Sequence, residues 1–165
     1  MGQGMMVVAA LLALGLLTLF FSDVEKKRYN PNQNPVGLVQ NDVRQVVLER
    51  NRMGHYIVTG RINGTAVDFL LDTGATDVVL GSRLAKELGL QPGREGRART
   101  ANGMVVTHDT RINELSIGNI QLNNVPASIT RGIEGDEILL GMSALKQVEF
   151  IQRGDTLTLR QVTYD

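Results

Sequence analysis

The chain of 165 residues is long enough for one domain with a sizeable core. Its 17 basic residues balance 17 acidic ones, so no net field draws it to nucleic acid or to an anionic surface. It contains no cysteine, which excludes disulfides, thiolate nucleophiles and cysteine-based zinc sites.

The N-terminal stretch "MMVVAALLALGLLTLFF" (Met5–Phe21) carries no charge over 17 residues. That is the short end of the roughly 17–25 apolar residues that span a bilayer. A secretory signal peptide is the rival reading. Against it, "MGQG" has no Lys or Arg, and no small-x-small cleavage site follows the apolar run. Residues 1–21 are therefore expected to be an uncleaved membrane anchor, with residues 5–21 in the bilayer. Residues 22–42 hold Pro31, Pro35 and several Asn and Gln, with little apolar periodicity, and predict a flexible linker. The folded domain is expected over 43–165.

From there the signals are β. "QVVLER", "HYIVTGRI" and "TAVDFLLD" read as strands, the last two joined by an Asn63-Gly64 hairpin turn. "VVL" reads as a short strand, and "SRLAKELGL" as a short helix with Ser82 as N-cap and Gly89 as C-cap. "RTANGMVVTHDTRI" predicts a second hairpin, with Asn102-Gly103 at its tip. "NELSIG" and "VPASIT" continue the strands, punctuated at Gly118-Asn119 and Asn123-Asn124. "EILLG" is an apolar run closing on Gly, "MSALKQV" suggests another short helix, and "TLTLRQV" is a final alternating strand. About nine strands with one or two short helices make an all-β, barrel-like domain.

One feature of this pattern asks for chemistry. Asp72 ends the apolar run Phe69-Leu70-Leu71 and is followed by Thr73 and Gly74. Buried strands seldom close on an acid. An Asp held at a strand end can act as general base on a water, with the glycine allowing close backbone approach. Peptide hydrolysis by carboxylates needs two of them sharing one proton, because like charges about 3 Å apart cannot both ionise. Such a mechanism uses no metal and no cofactor, and none is expected here.

"LLDTGAT", followed after a long β segment by "ILLGMSAL", resembles the retropepsin-like aspartic proteases, which include the retroviral enzymes and bacterial membrane-anchored relatives. The resemblance spans most of Val43 to Val162. It implies a retropepsin-like closed barrel behind an N-terminal transmembrane helix, located in a bacterial inner membrane, and an aspartic endopeptidase activity. Asp72 would be catalytic, with Thr73, Gly74 and Ala75 supporting its loop. The hairpin carrying Asn102, Gly103 and Met104 would be a flap over an extended peptide or protein substrate. The "ILLG" segment would pack beneath the Asp72 loop. Pepsin-like enzymes carry two such motifs, whereas no other Asp of this chain precedes Thr-Gly or Ser-Gly. The second carboxylate is thus expected from Asp72 of another copy, in a homodimer. Many retroviral enzymes pair an Asp with an Arg where this chain has Thr76 and Met142, so that dimer contact is missing here.

Asp72 could be a structural turn acid. The same fold could serve as a dimerisation or peptide-binding module with little turnover, or as a membrane scaffold. His55 and His108 read as strand-surface residues, and Ser143 lies in "GMSAL", which lacks the second Gly of a nucleophile elbow.

Overall fold

The computed structural model describes residues 2–100, 103–133 and 135–162. Helix α1 (Gly2–Tyr29) continues past the apolar run to its basic last turn, Lys26, Lys27 and Arg28. Among the described residues it is the one helix long and apolar enough to cross a membrane.

Four strands form an antiparallel sheet: β1 (Gly37–Gln40), β2 (Val43–Glu49), β10 (Glu149–Arg153) and β11 (Thr156–Val162), in the order β1-β2-β11-β10. The alternation read in "TLTLRQV" is realised here. Leu157 and Leu159 point inward, in register with Leu48 and Val46 of β2, and all four side chains are buried. β1 and the whole of α1 beyond Phe21 fall in the segment expected as a flexible linker. Its physical character is different. Residues 22–29 are helical, Asn30 and Asn32 are buried, and residues 37–40 are paired with β2.

The second sheet holds β3 (Ile57–Ile62), β4 (Thr65–Leu71), β5 (Val78–Gly81), β6 (Glu95–Thr100), β7 (Gly103–Ile117), β8 (Ile120–Thr130) and β9 (Glu137–Leu140). Their order is β3-β4-β9-β5-β8-β7-β6, with β4–β9 and β5–β8 parallel. Two short helices, α2 (Ser82–Glu87) and α3 (Met142–Leu145), sit between strands. The all-β class agrees with the sequence reading. The closed barrel does not, since the sheet curls back but is not strictly closed. β3 meets β7 through two residue pairs only, Arg61↔Ser116 and Ile62↔Leu115, and β5 meets β9 through Val79↔Leu139 alone. β6 and the four-stranded sheet stand outside that ring.

Turn chemistry explains the hairpins. Asn63 (φ 49) and Gly64 (φ 85) both take positive φ, which matches the right-handed twist of β3 and β4. In the β6–β7 hairpin Thr100 pairs with Gly103, which opens β7. Asn102 lies outside the described residues. Asn123-Asn124 does not break the chain: β8 runs through both, with Asn124 at φ 56. Gly81, not Ser82, caps α2, and the Ser82 hydroxyl donates instead to the Thr130 carbonyl at 3.3 Å. Leu88, not Gly89, is the C-cap of that helix, and Gly89 follows it with a positive φ of 70.

The core is filled from both sheets. Phe69, Val58, Ile62, Ile138 and Leu80 are fully buried in the larger one, with Val46 and Leu48 in the smaller. Burying one such side chain contributes roughly 1.5–3 kcal/mol. This packing stiffens β4, which leads into the Asp72 loop, and β9, which leads into the segment beneath it.

Candidate active site

β4 is clamped between antiparallel β3 and parallel β9, with Leu71 opposite Leu140. Its last rungs are the Leu71 N–H donating to Tyr56 O at 3.0 Å and the Asp72 N–H donating to Leu140 O at 3.2 Å. Asp72 is therefore fixed by backbone on its strand side, at the point where the chain turns away. The turn closes on itself. The Gly74 N–H donates to Asp72 Oδ1 at 2.8 Å, and the Ala75 N–H donates to Asp72 O at 3.2 Å. Asp72 and Ala75 are half-buried, whereas Thr73, Gly74 and Thr76 are exposed. A carboxylate set this way keeps a face toward solvent while one oxygen is held by an N–H.

The loop is braced from beneath by the segment after β9. The Met142 N–H donates to Ala75 O at 2.8 Å and the Ser143 N–H donates to Thr76 O at 2.9 Å. Gly141 lies so close that a Cβ there would stand 2.1 Å from Asp77 O and 2.7 Å from Ala75 O. The apolar-apolar-Gly pattern thus has a steric cause, since only hydrogen fits under the loop. Ser143, 3% exposed, ties three elements together. Its hydroxyl donates to Pro126 O at 2.7 Å in β8 and accepts the Val78 N–H at 3.0 Å at the start of β5. Asp77 is held in turn by the Ser128 hydroxyl, which donates to its Oδ2 at 3.2 Å.

The structure thus gathers Asp72, Gly74 and Ala75 with Gly141, Met142 and Ser143. Thr73 stands exposed in the same loop. Gly103 and Met104 lie in the β6–β7 hairpin, where Thr100 Oγ1 donates to Gly103 O at 2.9 Å and Met104 is exposed. No hydrogen bond among the described residues links that hairpin to the Asp72 loop. Sequence reasoning missed the bracing role of Ser143, which a search for nucleophiles could only reject. It also missed Asn30, Asn32 and Asn51, all buried. Their signal is faint: asparagines flanking strands, able to imitate backbone groups.

One further carboxyl near this frame is perturbed. Glu137 opens β9 beside Asp68 of β4, and burial pushes its carboxyl above the usual carboxylate range. The Tyr29 hydroxyl, at the end of α1, donates to its Oε2.

Comparison with known proteins places this arrangement. The family model described as "gag-polyprotein putative aspartyl protease" matches residues 58–147, which run from β3 past α3 and include the whole Asp72–Gly141 frame. The crystal structure of a retropepsin-like aspartic protease from Rickettsia conorii aligns with a TM-score of 0.60 at 28% identity, over 72% of this chain and 90% of that one. An uncharacterized protein in the cobV 5′ region of Sinorhizobium sp is 35% identical over 121 residues, 71% of this chain and 52% of its own length. The uncharacterized protein RP867 of Rickettsia prowazekii (strain Madrid E) is 29% identical over 109 residues, 64% of this chain and 46% of its own. The chain therefore spans about half the length of these two curated relatives. Through the matched family model and the shared fold, this chain belongs to the retropepsin-like aspartic protease family.

Proposed function

We propose that the protein is a membrane-anchored, homodimeric aspartic endopeptidase in which Asp72 of two copies activates one water. The observation that carries this reading is a single Asp-Thr-Gly turn, braced on three sides, in a chain whose other aspartates never precede Thr-Gly or Ser-Gly. Two such loops meeting across a two-fold axis bring their carboxylates together. The pair shares one proton. The ionised member takes a proton from water, whose oxygen bonds to the scissile carbonyl carbon while the other carboxyl donates its proton to the carbonyl oxygen. Collapse of the tetrahedral diol passes a proton to the amide nitrogen and breaks the C–N bond. The exposed Thr73 is suited to a hydrogen bond with the facing loop, and Gly74 to contact with substrate backbone. The hairpin at Gly103 and Met104 is suited to cover an extended peptide. Helix α1 supplies the anchor, and confinement to a bilayer raises the effective concentration of a dimer.

The test uses the full chain in vesicles, because a fragment beginning at residue 42 would lose Asn30, Asn32 and β1. Wild type and Asp72→Asn are incubated with a diverse peptide mixture, and products are mapped by mass spectrometry. The expected result is internal cleavage by wild type and a loss of roughly a thousandfold or more in the variant. Equal cleavage by both, or none by a folded dimer, would remove the protease reading and leave a peptide-binding module.

A further inference from the structure

The junction between α1 and the β domain is built from buried side chains. The Asn30 carboxamide nitrogen donates to Thr59 Oγ1 and to Asp68 Oδ1, both at 2.9 Å, while its oxygen accepts the Asn32 N–H at 2.8 Å. Asn32 donates to Glu49 O at 2.9 Å and to Ile57 O at 2.7 Å, and accepts the Glu49 N–H at 2.7 Å. Its backbone carbonyl accepts the Thr59 N–H at 3.1 Å. Asn51 donates to Tyr29 O, in the last turn of the helix, at 2.9 Å. The Tyr29 hydroxyl holds Glu137 of β9. Asn30, Asn32 and Asn51 are 1%, 7% and 7% exposed. Breaking any of these contacts would strand buried polar groups, each at a cost of about 1–3 kcal/mol.

We infer that α1 and the β domain form one rigid body, and that this holds the Asp72 loop at a short, set height above the bilayer. The substrates are then the juxtamembrane segments of other membrane-inserted proteins. The inference rests on the anchored-protease reading above, and it names the substrate class of that same site.

Distances carry the argument. From Phe21, the last residue of the apolar run, to Tyr29 the helix rises about 12 Å. That clears a headgroup layer of roughly 5–8 Å per leaflet. It also leaves Lys26, Lys27 and Arg28 near the phosphates. Asn30 grips Asp68, and Asp72 lies about 13 Å farther along the same strand. Whichever way β4 points, Asp72 stays within roughly 30 Å of the hydrocarbon. A free tether over residues 22–42 would instead have let it range out to about 70 Å.

Symmetry narrows the geometry further. Two clamped copies must send both helices into one bilayer, so the two-fold axis of the dimer runs along the membrane normal. A peptide crossing that axis between the two Asp72 loops lies parallel to the membrane plane. A segment leaving the bilayer must rise and then turn to reach the site, which favours scissile bonds roughly 5–15 residues from their own span.

The absence of cysteine makes a direct test clean. Ser22→Cys and Thr65→Cys are introduced into the full chain, spin-labelled, diluted with unlabelled copies and placed in nanodiscs. A single narrow distance distribution is expected, and it should broaden when ten Gly/Ser residues are inserted after Lys27, a change that leaves the asparagine side-chain contacts intact. A broad distribution without the insertion overturns the rigid junction, whatever the activity. In parallel, the chain is co-reconstituted with single-span substrates carrying one cleavable sequence at graded Gly/Ser distances from the membrane. The same sequence is also supplied as a free peptide. Near sites should be cut at least about tenfold faster than sites some 60 residues away. The insertion should erase that preference without changing cleavage of the free peptide. Equal rates at every distance overturn the substrate class. Failure to cut even the free peptide overturns the protease reading and the substrate class together, while the spin-label distances still decide the junction.

Discussion

A methyl group on Gly141 would stand 2.1 Å from the Asp77 carbonyl oxygen and 2.7 Å from that of Ala75. The Ala75 oxygen is already committed, since it accepts the Met142 N–H. Gly141→Ala must therefore displace the loop that carries Asp72, and overpacking of this kind costs about 1–3 kcal/mol. Misplacement of a reacting group by about 1 Å can cost on the order of a hundredfold in rate. The expected outcome is a modest fall in melting temperature with a disproportionate fall in kcat/KM, read by calorimetry and peptide cleavage side by side. If activity fell no more than the lost folded fraction explains, Gly141 would serve stability alone. At this scale part of the loop and its brace was legible in the sequence. Asp72, Gly74 and the glycine of "ILLG" stand out because each violates an ordinary preference: an acid closing an apolar strand, and glycines where a side chain would pack. Ser143 violates none. A serine in a short helix is unremarkable until the fold sets Pro126 O and the Val78 N–H around it.

Among the elements, legibility followed periodicity. β3, β4 and β11 alternate or run apolar between turn signals, and each appears where the pattern placed it. β10 holds Phe150 and Ile151 but has no buried position, so no alternation marked it as a strand; pairing with β11 makes it one. The larger departure is at residues 30–40. Asn, Gln and Pro in that stretch suggest a solvated linker because their side chains are polar. Yet a carboxamide offers the same donor and acceptor as a peptide group, and Asn32 uses both to join β2 to β3, through Glu49 and Ile57. Asn32→Ala strands one N–H and two carbonyls at that junction, so a loss of about 2–4 kcal/mol and several degrees of melting temperature is expected. Thermal unfolding checks this, with exposed Asn34→Ala as the reference that should change little. Equal melting temperatures for the two variants would mean the junction contributes nothing to the fold.

For the whole molecule, the decisive question is how many Asp72 side chains serve one cleavage. A single chain shows one loop, with Asp72 Oδ1 held by the Gly74 N–H and an exposed Thr73 beside it. If two carboxylates must share a proton, a mixed dimer of wild type and Asp72→Asn lacks the second and is inactive. Subunit mixing then has a definite arithmetic. With wild type held constant, refolding or co-reconstituting it with an equal amount of the variant should leave about half the activity by random pairing, and a fivefold excess about one sixth. The variant keeps the size and most of the shape of the acid, so it should pair like wild type, which size measurement on the mixed samples verifies. A chain acting alone would keep its full rate at every ratio. Nor would the rate fall in a dimer in which either Asp72 suffices, since mixed dimers would remain active. Only a dimer in which both carboxylates react follows the falling curve, and the same titration run with solution peptide does not depend on a membrane tether.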